Sequence, residues 1–284
     1  MANEPVQIPQ AARLKLCRAA VQVIADQASV DMLHIKGDAV DGSLRDTVDP
    51  GSDVDVLVRP SHVARLHAHL LQHGWRVYSS FFFGSPFGHA QTYLHEQWGY
   101  LDLHRLFPGI ERDPVEAFDV LWSERRPIDI ATVAGAVPSV AAQRVILLLN
   151  SARNSRQAVV ERLWTSSPAV DRAATMALVH RLQADVGFAA ATGDLDRHRS
   201  ARSYPLWRVI TRGGTRAEEW RARIRAAPTT RDRMLLILRA PAVNIEHLEH
   251  QLGRPPRPTD VARAFVARPA LAVREWLGRK RARR

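Results

Sequence analysis

Two carboxylates lie two positions apart in an otherwise apolar stretch of the chain. The stretch GSDVDVLV spans residues 51–58 and places Asp53 and Asp55 among valine and leucine. Burying an unpaired carboxylate costs free energy, so an apolar strand that keeps two of them is expected to hold something positive. Side chains alternate between the faces of a strand, which puts both aspartates on one face and Val54 and Val56 on the other.

The neighbouring sequence predicts the elements that would position these carboxylates. Helical spacing of apolar residues indicates a first helix over 10–27, and a second helix is predicted between Ser61 and Gly74. Five segments are predicted as strands, at 31–37, 53–59, 75–83, 90–96 and 99–107. Residues 127–139 are predicted as a short β-like connector, and beyond them nearly every segment has helical periodicity.

Four segments follow one another in the order of a known family. They are HIKGDA (34–39), SDVDVLV (52–58), HGWRVY (73–78) and YLDLHRLF (100–107). In this order they resemble the nucleotidyltransferase superfamily of the DNA polymerase β type, and within it a branch of uncharacterised nucleotidyltransferases. The resemblance implies an α+β fold. A nucleotidyltransferase catalytic domain with a mixed sheet flanked by helices would span residues 1–127, and a basic, mostly helical C-terminal domain would span 128–284.

The same resemblance implies roles for particular residues. Asp53, Asp55 and Asp102 would bind two divalent ions, Mg²⁺ or Mn²⁺, and serve as the catalytic residues. Carboxylate oxygens suit such ions, and an ion pair of this kind clamps the attacking and leaving oxygens of a phosphoryl transfer. The turn at Gly37 would let the backbone approach the phosphates of the nucleotide. Further candidates for nucleotide binding are Lys36, Ser52 and His104.

The implied reaction transfers a nucleoside monophosphate from a nucleoside triphosphate such as ATP to an acceptor hydroxyl or phosphate, with release of pyrophosphate. One residue departs from the family pattern, because Asp38 stands where many transferases have glycine or serine. The alternative function is therefore a catalytically inactive binding module for nucleotide or RNA. Lys36 could contact a phosphate or pair with Asp38 or Asp41, and His104 could support the metal site, transfer a proton or be a core histidine.

Charge divides the chain unequally and bears on the acceptor. Residues 1–125 carry 11 basic and 16 acidic side chains, whereas residues 126–284 carry 29 and 13, within a net charge of +11. The basic half favours an RNA acceptor such as a tRNA, because phosphate neutralisation drives such binding. A small-molecule acceptor needs only a pocket, and a protein side chain is a third option, so all three classes stay open.

Two further features predict a cytoplasmic protein. The segment MANEPVQIPQ lacks the basic flank and apolar run of a signal peptide, and no apolar run is long enough to span a bilayer. The single cysteine, Cys17, is consistent with a reducing compartment.

Overall fold

The chain forms an α+β fold, as the sequence predicts. The computed structural model describes residues 8–45, 51–83, 85–239, 243 and 245–266. The strands are β1 (Met32–Ile35), β2 (Asp53–Val58), β3 (Arg76–Ser79), β4 (Ala90–His95), β5 (Gly99–His104), β6 (Arg126–Ile130) and β7 (Val133–Val137). The helices are α1 (Gln10–Gln27), α2 (Val63–Gln72), α3 (Pro114–Ser123), α4 (Val140–Asn154), α5 (Gln157–Val160), α6 (Ala169–Arg181), α7 (Asp185–Thr192), α8 (Tyr204–Arg212), α9 (Arg216–Ala226), α10 (Thr230–Arg239) and α11 (Ile245–Leu252).

The first five strands form one mixed sheet with the order β1-β2-β5-β4-β3. Strands β2 and β5 run parallel, and the other neighbouring pairs run antiparallel. A parallel pair needs a long crossover connection, which α2, β3 and β4 provide here. The predicted strands therefore all belong to one sheet, although the predicted strand at 75–83 ends at Ser79.

Two elements go beyond the sequence prediction. Residues 127–139 form most of an antiparallel hairpin, β6–β7, rather than a loose connector. Helix α3 was not predicted, yet its start has ordinary signals, because the Asp113 carboxylate accepts from the Val115 N–H at 2.9 Å and Pro114 follows. Short segments next to a predicted boundary are where pattern reasoning is weakest.

The two faces of the five-stranded sheet have different partners. Val54, Val56 and Val58 pack in one apolar cluster with residues of α1 and α2. Leu33 and Leu57 belong to a second cluster, which includes residues of α4, α6 and α7. The face that carries Asp55 is thus covered by helices from the second half of the chain. The proposed division of the chain at 127/128 stays a prediction.

Within the described segments, no helix combines the length and the apolar character that crossing a bilayer requires.

Gly187 permits a close contact between α7 and the rest of the second cluster. A Cβ atom at this position would lie 2.8 Å from Gly109 Cα and 2.9 Å from Leu149 Cδ2. Alanine normally stabilises a helix by about 1 kcal/mol relative to glycine. We nevertheless expect Gly187→Ala to lower the free energy of unfolding by roughly 1–3 kcal/mol through overpacking, measured by urea denaturation.

Gly42→Ala is the control, because no heavy atom lies within 4 Å of the added Cβ. Equal stability of Gly187→Ala and the unchanged protein would contradict the close packing of α7.

Candidate active site

Two aspartates and one histidine meet at the centre of the sheet. Asp55 of β2 is in register with Asp102 of β5, and His104 follows two residues later on the same face. One ligand atom from each of these three side chains lies within 4.8 Å of the others. Asp55 is only 6% exposed and His104 only 1%. The pairing of two parallel strands therefore places two carboxylates side by side in a mostly buried environment.

Asp55 is held as a carboxylate by two nitrogen groups. Lys36 Nζ donates to Asp55 Oδ1 at 2.6 Å, and His104 Nε2 lies 2.8 Å from the same oxygen. Burial alone would raise the pKa of Asp55, but the positive charge of Lys36 and the contact with His104 outweigh it and lower the pKa. Burial, together with Lys36, lowers the pKa of His104 to about 4. The site near neutral pH thus contains an ionised Asp55 and a neutral imidazole.

Asp102 has the opposite tendency. Burial, and next the negative charge of Asp55, raise the pKa of Asp102 to about 6. Thr92, its cross-strand partner in β4, donates its hydroxyl to Asp102 Oδ1 at 2.6 Å. The hydroxyl fixes the orientation of the carboxyl group but does not cancel the repulsion from Asp55.

Asp53 and Ser52 lie at the start of β2, outside this three-residue group. Ser52 is exposed, and its hydroxyl lies 3.4 Å from Asp53 Oδ1. Burial and the charge of Asp55 raise the pKa of Asp53. The charge of Asp55 therefore acts on Asp53, but the tight cluster consists of Asp55, Asp102 and His104. The sequence predicts Asp53, and not His104, as the third metal ligand beside Asp55 and Asp102. This set of ligands stays a prediction.

The turn after β1 has an uncommon backbone. Lys36 has φ 60° and ψ 179°, and Gly37 has φ 56°. A positive φ at a lysine is strained and persists only where neighbouring groups hold it. Lys36 forms its ion pair with Asp55, and not with Asp38 or Asp41 as the sequence suggested. The strained turn points the ammonium group at the carboxylate cluster.

Arg18 of α1 holds this turn and was missed from the sequence. Its side chain is 2% exposed, and Nε donates to Asp38 Oδ1 at 2.9 Å. Longer contacts of 3.5 Å reach the carbonyl oxygens of Lys36 and Asp55. The extra charge of Asp38 is thus paired. A signal was present, because Leu14, Arg18 and Val21 share the helical stripe that packs in the core.

The donor set suits a divalent cation. Two carboxylates supply hard oxygen ligands, and a neutral imidazole adds a nitrogen ligand that Mn²⁺ also accepts. Burial and the negative charge of Asp55 raise the pKa of Asp102, and a bound cation would relieve the repulsion between the two carboxylates. The residues present therefore fit a divalent metal ion.

Comparisons with known proteins give distant structural similarity. No family model matches the chain, and no curated protein matches it. Among solved structures, the chain is similar to the antibiotic-resistance factor ANT(2'')-Ia, with a TM-score of 0.39 and 13% identity. The similarity covers 68% of this chain and 96% of that one. The functional interpretation below therefore rests on the geometry of the site.

Asp102→Asn should stabilise the cation-free protein at high pH. The pKa of Asp102 rises from 3.8 to about 6 on folding, so the folded protein keeps a proton that the unfolded chain releases between these values. Stability contributed by this proton is present below pH 4 and is lost as the pH rises through 6, on the order of 3 kcal/mol. Asparagine removes the loss and still accepts from Thr92.

The measurement is urea unfolding in EDTA at pH 8 and pH 4.5. We expect the variant to be more stable than the unchanged protein at pH 8, and the difference to be about a third as large at pH 4.5. A variant that is less stable at pH 8 would show that the Asp102 charge is stabilised by its surroundings.

Proposed function

We propose that this chain is a divalent-cation-dependent nucleotidyltransferase. It would transfer a nucleoside monophosphate from a nucleoside triphosphate, such as ATP, to an acceptor hydroxyl or phosphate and release pyrophosphate. The observation that carries the proposal is the register of β2 and β5, which brings Asp55, Asp102 and His104 within 4.8 Å of one another. Two adjacent carboxylates in a mostly buried site repel each other and lower the stability of the folded protein. A bound cation would offset this repulsion, which explains why the two carboxylates are kept together.

The carboxylates would divide the work by their environments. Asp55 stays ionised beside Lys36 and would hold the cation together with Asp102, with Asp53 as a further ligand. A bound Mg²⁺ or Mn²⁺ would neutralise charge on the reacting phosphate oxygens. Asp102, with its pKa of about 6, is a stronger base than an ordinary aspartate and would favour removal of the proton from the acceptor hydroxyl.

The turn at Lys36 and Gly37 would seat the triphosphate. Both residues have positive φ values, and the ammonium group of Lys36 contacts Asp55 of the carboxylate cluster. Arg18 pairs with Asp38, so the aspartate that departs from the family pattern does not leave an unbalanced charge at the turn. Ser52, at the exposed start of β2, is a further candidate for contact with the nucleotide.

The second half of the chain would recognise the acceptor. A surface cavity of about 420 Å³ is lined by four arginines, Arg199, Arg202, Arg225 and Arg233. Guanidinium groups bind phosphates through paired hydrogen bonds, so this cavity favours an anionic acceptor such as RNA over a neutral small molecule. The reaction would take place in a reducing compartment such as the cytoplasm.

One observation favours the alternative, a catalytically inactive binding module. Lys36 Nζ lies 2.6 Å from Asp55 Oδ1, so a positive charge already neighbours a proposed ligand of the cation. An inactive module would keep this ion pair in place of a metal. Titration with Mn²⁺ separates the two functions, because an inactive module would bind Mn²⁺ only after Lys36→Met, whereas a transferase binds it with the lysine present.

The proposal is tested by transfer of label from α-³²P nucleoside triphosphates. Purified protein is incubated with Mg²⁺, each labelled triphosphate, and either total tRNA or a metabolite extract. We expect transfer to one acceptor class, and a loss on the order of 100-fold or more in Asp55→Asn, as for removal of one electrostatic group from an active site.

Asp194→Asn is the matched control, because Asp194 is exposed and its ion-pair partner among the described residues is exposed Arg197. Transfer that survives equally in both variants would contradict the role of the carboxylate cluster. No transfer to any acceptor, with Mn²⁺ binding only after Lys36→Met, would support the binding module.

A further inference from the structure

Three buried nitrogen atoms beside the carboxylate cluster have no hydrogen-bond partner among the described residues. They are His89 Nδ1, His104 Nδ1 and Arg153 Nη1. The two histidines are 4% and 1% exposed, respectively. Buried polar groups are nearly always hydrogen-bonded, so three unpaired nitrogen atoms in one place call for an explanation such as a ligand.

These groups come from three elements and lie together. The rings of His89, which precedes β4, and His104, which ends β5, are 5.1 Å apart between centroids. Phe87 lies next to both His89 and Arg153, with 6.4 Å between the two ring centroids and 5.9 Å from its ring to the Arg153 guanidinium carbon. Arg153 stands in the last turn of α4, so the helical half of the chain supplies a cation to the site.

The charges around Arg153 connect it with the carboxylates. Burial lowers the pKa of Arg153, while the negative charges of Asp55 and Asp102 act in the opposite direction. Among the described residues, no carboxylate forms an ion pair with Arg153, although most other buried arginines, such as Arg18 and Arg144, have one. The partly buried guanidinium of Arg153 interacts electrostatically with both carboxylates but pairs with neither, so it is available to bind an anion.

We propose that Arg153, with His89 beside it, binds the terminal phosphates of the donor nucleotide and then the pyrophosphate that leaves. This inference rests on the proposed function and adds a phosphate-binding group from the helical half of the chain. Arginine donates two parallel hydrogen bonds to a phosphate, and such charge-assisted bonds are strong in a poorly solvated site. His104 links the two charges of the site, because its Nε2 contacts Asp55 and its ring stands beside His89.

The location favours donor phosphates over an acceptor phosphate. Lys36, whose turn is the proposed seat of the triphosphate, contacts the same Asp55 oxygen as His104 Nε2, and the ring of His104 lies beside that of His89. Arg153 and Lys36 would thus approach the same ligand from opposite halves of the chain. A group bound between them would carry several negative charges, which a triphosphate or pyrophosphate has and a nucleoside monophosphate largely lacks.

The test is isothermal titration of ATP, AMP and pyrophosphate in Mg²⁺ into the full chain and into Arg153→Gln. We expect the variant to bind ATP and pyrophosphate on the order of 10- to 100-fold more weakly, the loss of one or two hydrogen bonds to a charged group, and to bind AMP unchanged. Arg153→Lys should recover part of the affinity because it keeps the charge. The control is Arg156→Gln, which makes the same change at an exposed arginine three positions along the chain.

Stability of the ligand-free variants separates binding from folding. Arg153 has an unpaired buried nitrogen, so Arg153→Gln should melt at the same temperature as the unchanged protein or higher. Equal losses of AMP and ATP affinity, unchanged pyrophosphate binding in Arg153→Gln, or no pyrophosphate binding by the unchanged protein would each overturn the inference. Selective loss of pyrophosphate binding in a protein that transfers no label would uphold the anion site and reject the transferase function.

Discussion

The site depends on the repulsion between two carboxylates that parallel strand pairing forces together. Asp55 and Asp102 are direct neighbours across β2 and β5, so neither can move away without breaking the centre of the sheet. The protein relieves this repulsion unequally. Lys36 and His104 both contact Asp55, whereas Asp102 receives one neutral hydroxyl from Thr92. One carboxylate is therefore firmly ionised and the other has a pKa of about 6.

The surrounding structure keeps that arrangement in place. Arg18, buried in α1, holds the strained turn from which Lys36 reaches Asp55. On the opposite face, the valines of β2 pack against α1 and α2, so the strand cannot rotate its aspartates away from the site. The same few side chains therefore stabilise the turn and set the charge of the carboxylate cluster.

Helix α4 connects the sheet with the basic half of the chain. Its apolar residues share a core cluster with Leu33 and Leu57, and its last turn carries Arg153 toward the charges of Asp55 and Asp102. Among the described residues, Arg153 has no carboxylate partner, so the proposed site has a cation-binding side and an anion-binding side. A metal-bound polyphosphate has both features, which is why the two proposals support each other physically.

The sequence by itself determined which strand carries the candidate site residues and which residues share each of its two faces. A period of two requires Asp53 and Asp55 to face away from Val54 and Val56, whatever the rest of the chain does. The order of predicted strands, and the resemblance of its motifs, also pointed to Asp102 and His104 as neighbours of that strand. Local patterns of this kind survive because they depend only on residues adjacent in the chain.

Only the tertiary structure decided which group pairs with which. Lys36 and Asp55 are 19 residues apart, Arg18 and Asp38 are 20 apart, and His104 and Asp55 are 49 apart. No local pattern states that His104 rather than Asp53 completes the tight cluster, since that follows from strand register. The position of Arg153 beside it depends on how α4 packs across the sheet. Those outcomes depend on distances between elements, which a single sequence does not contain.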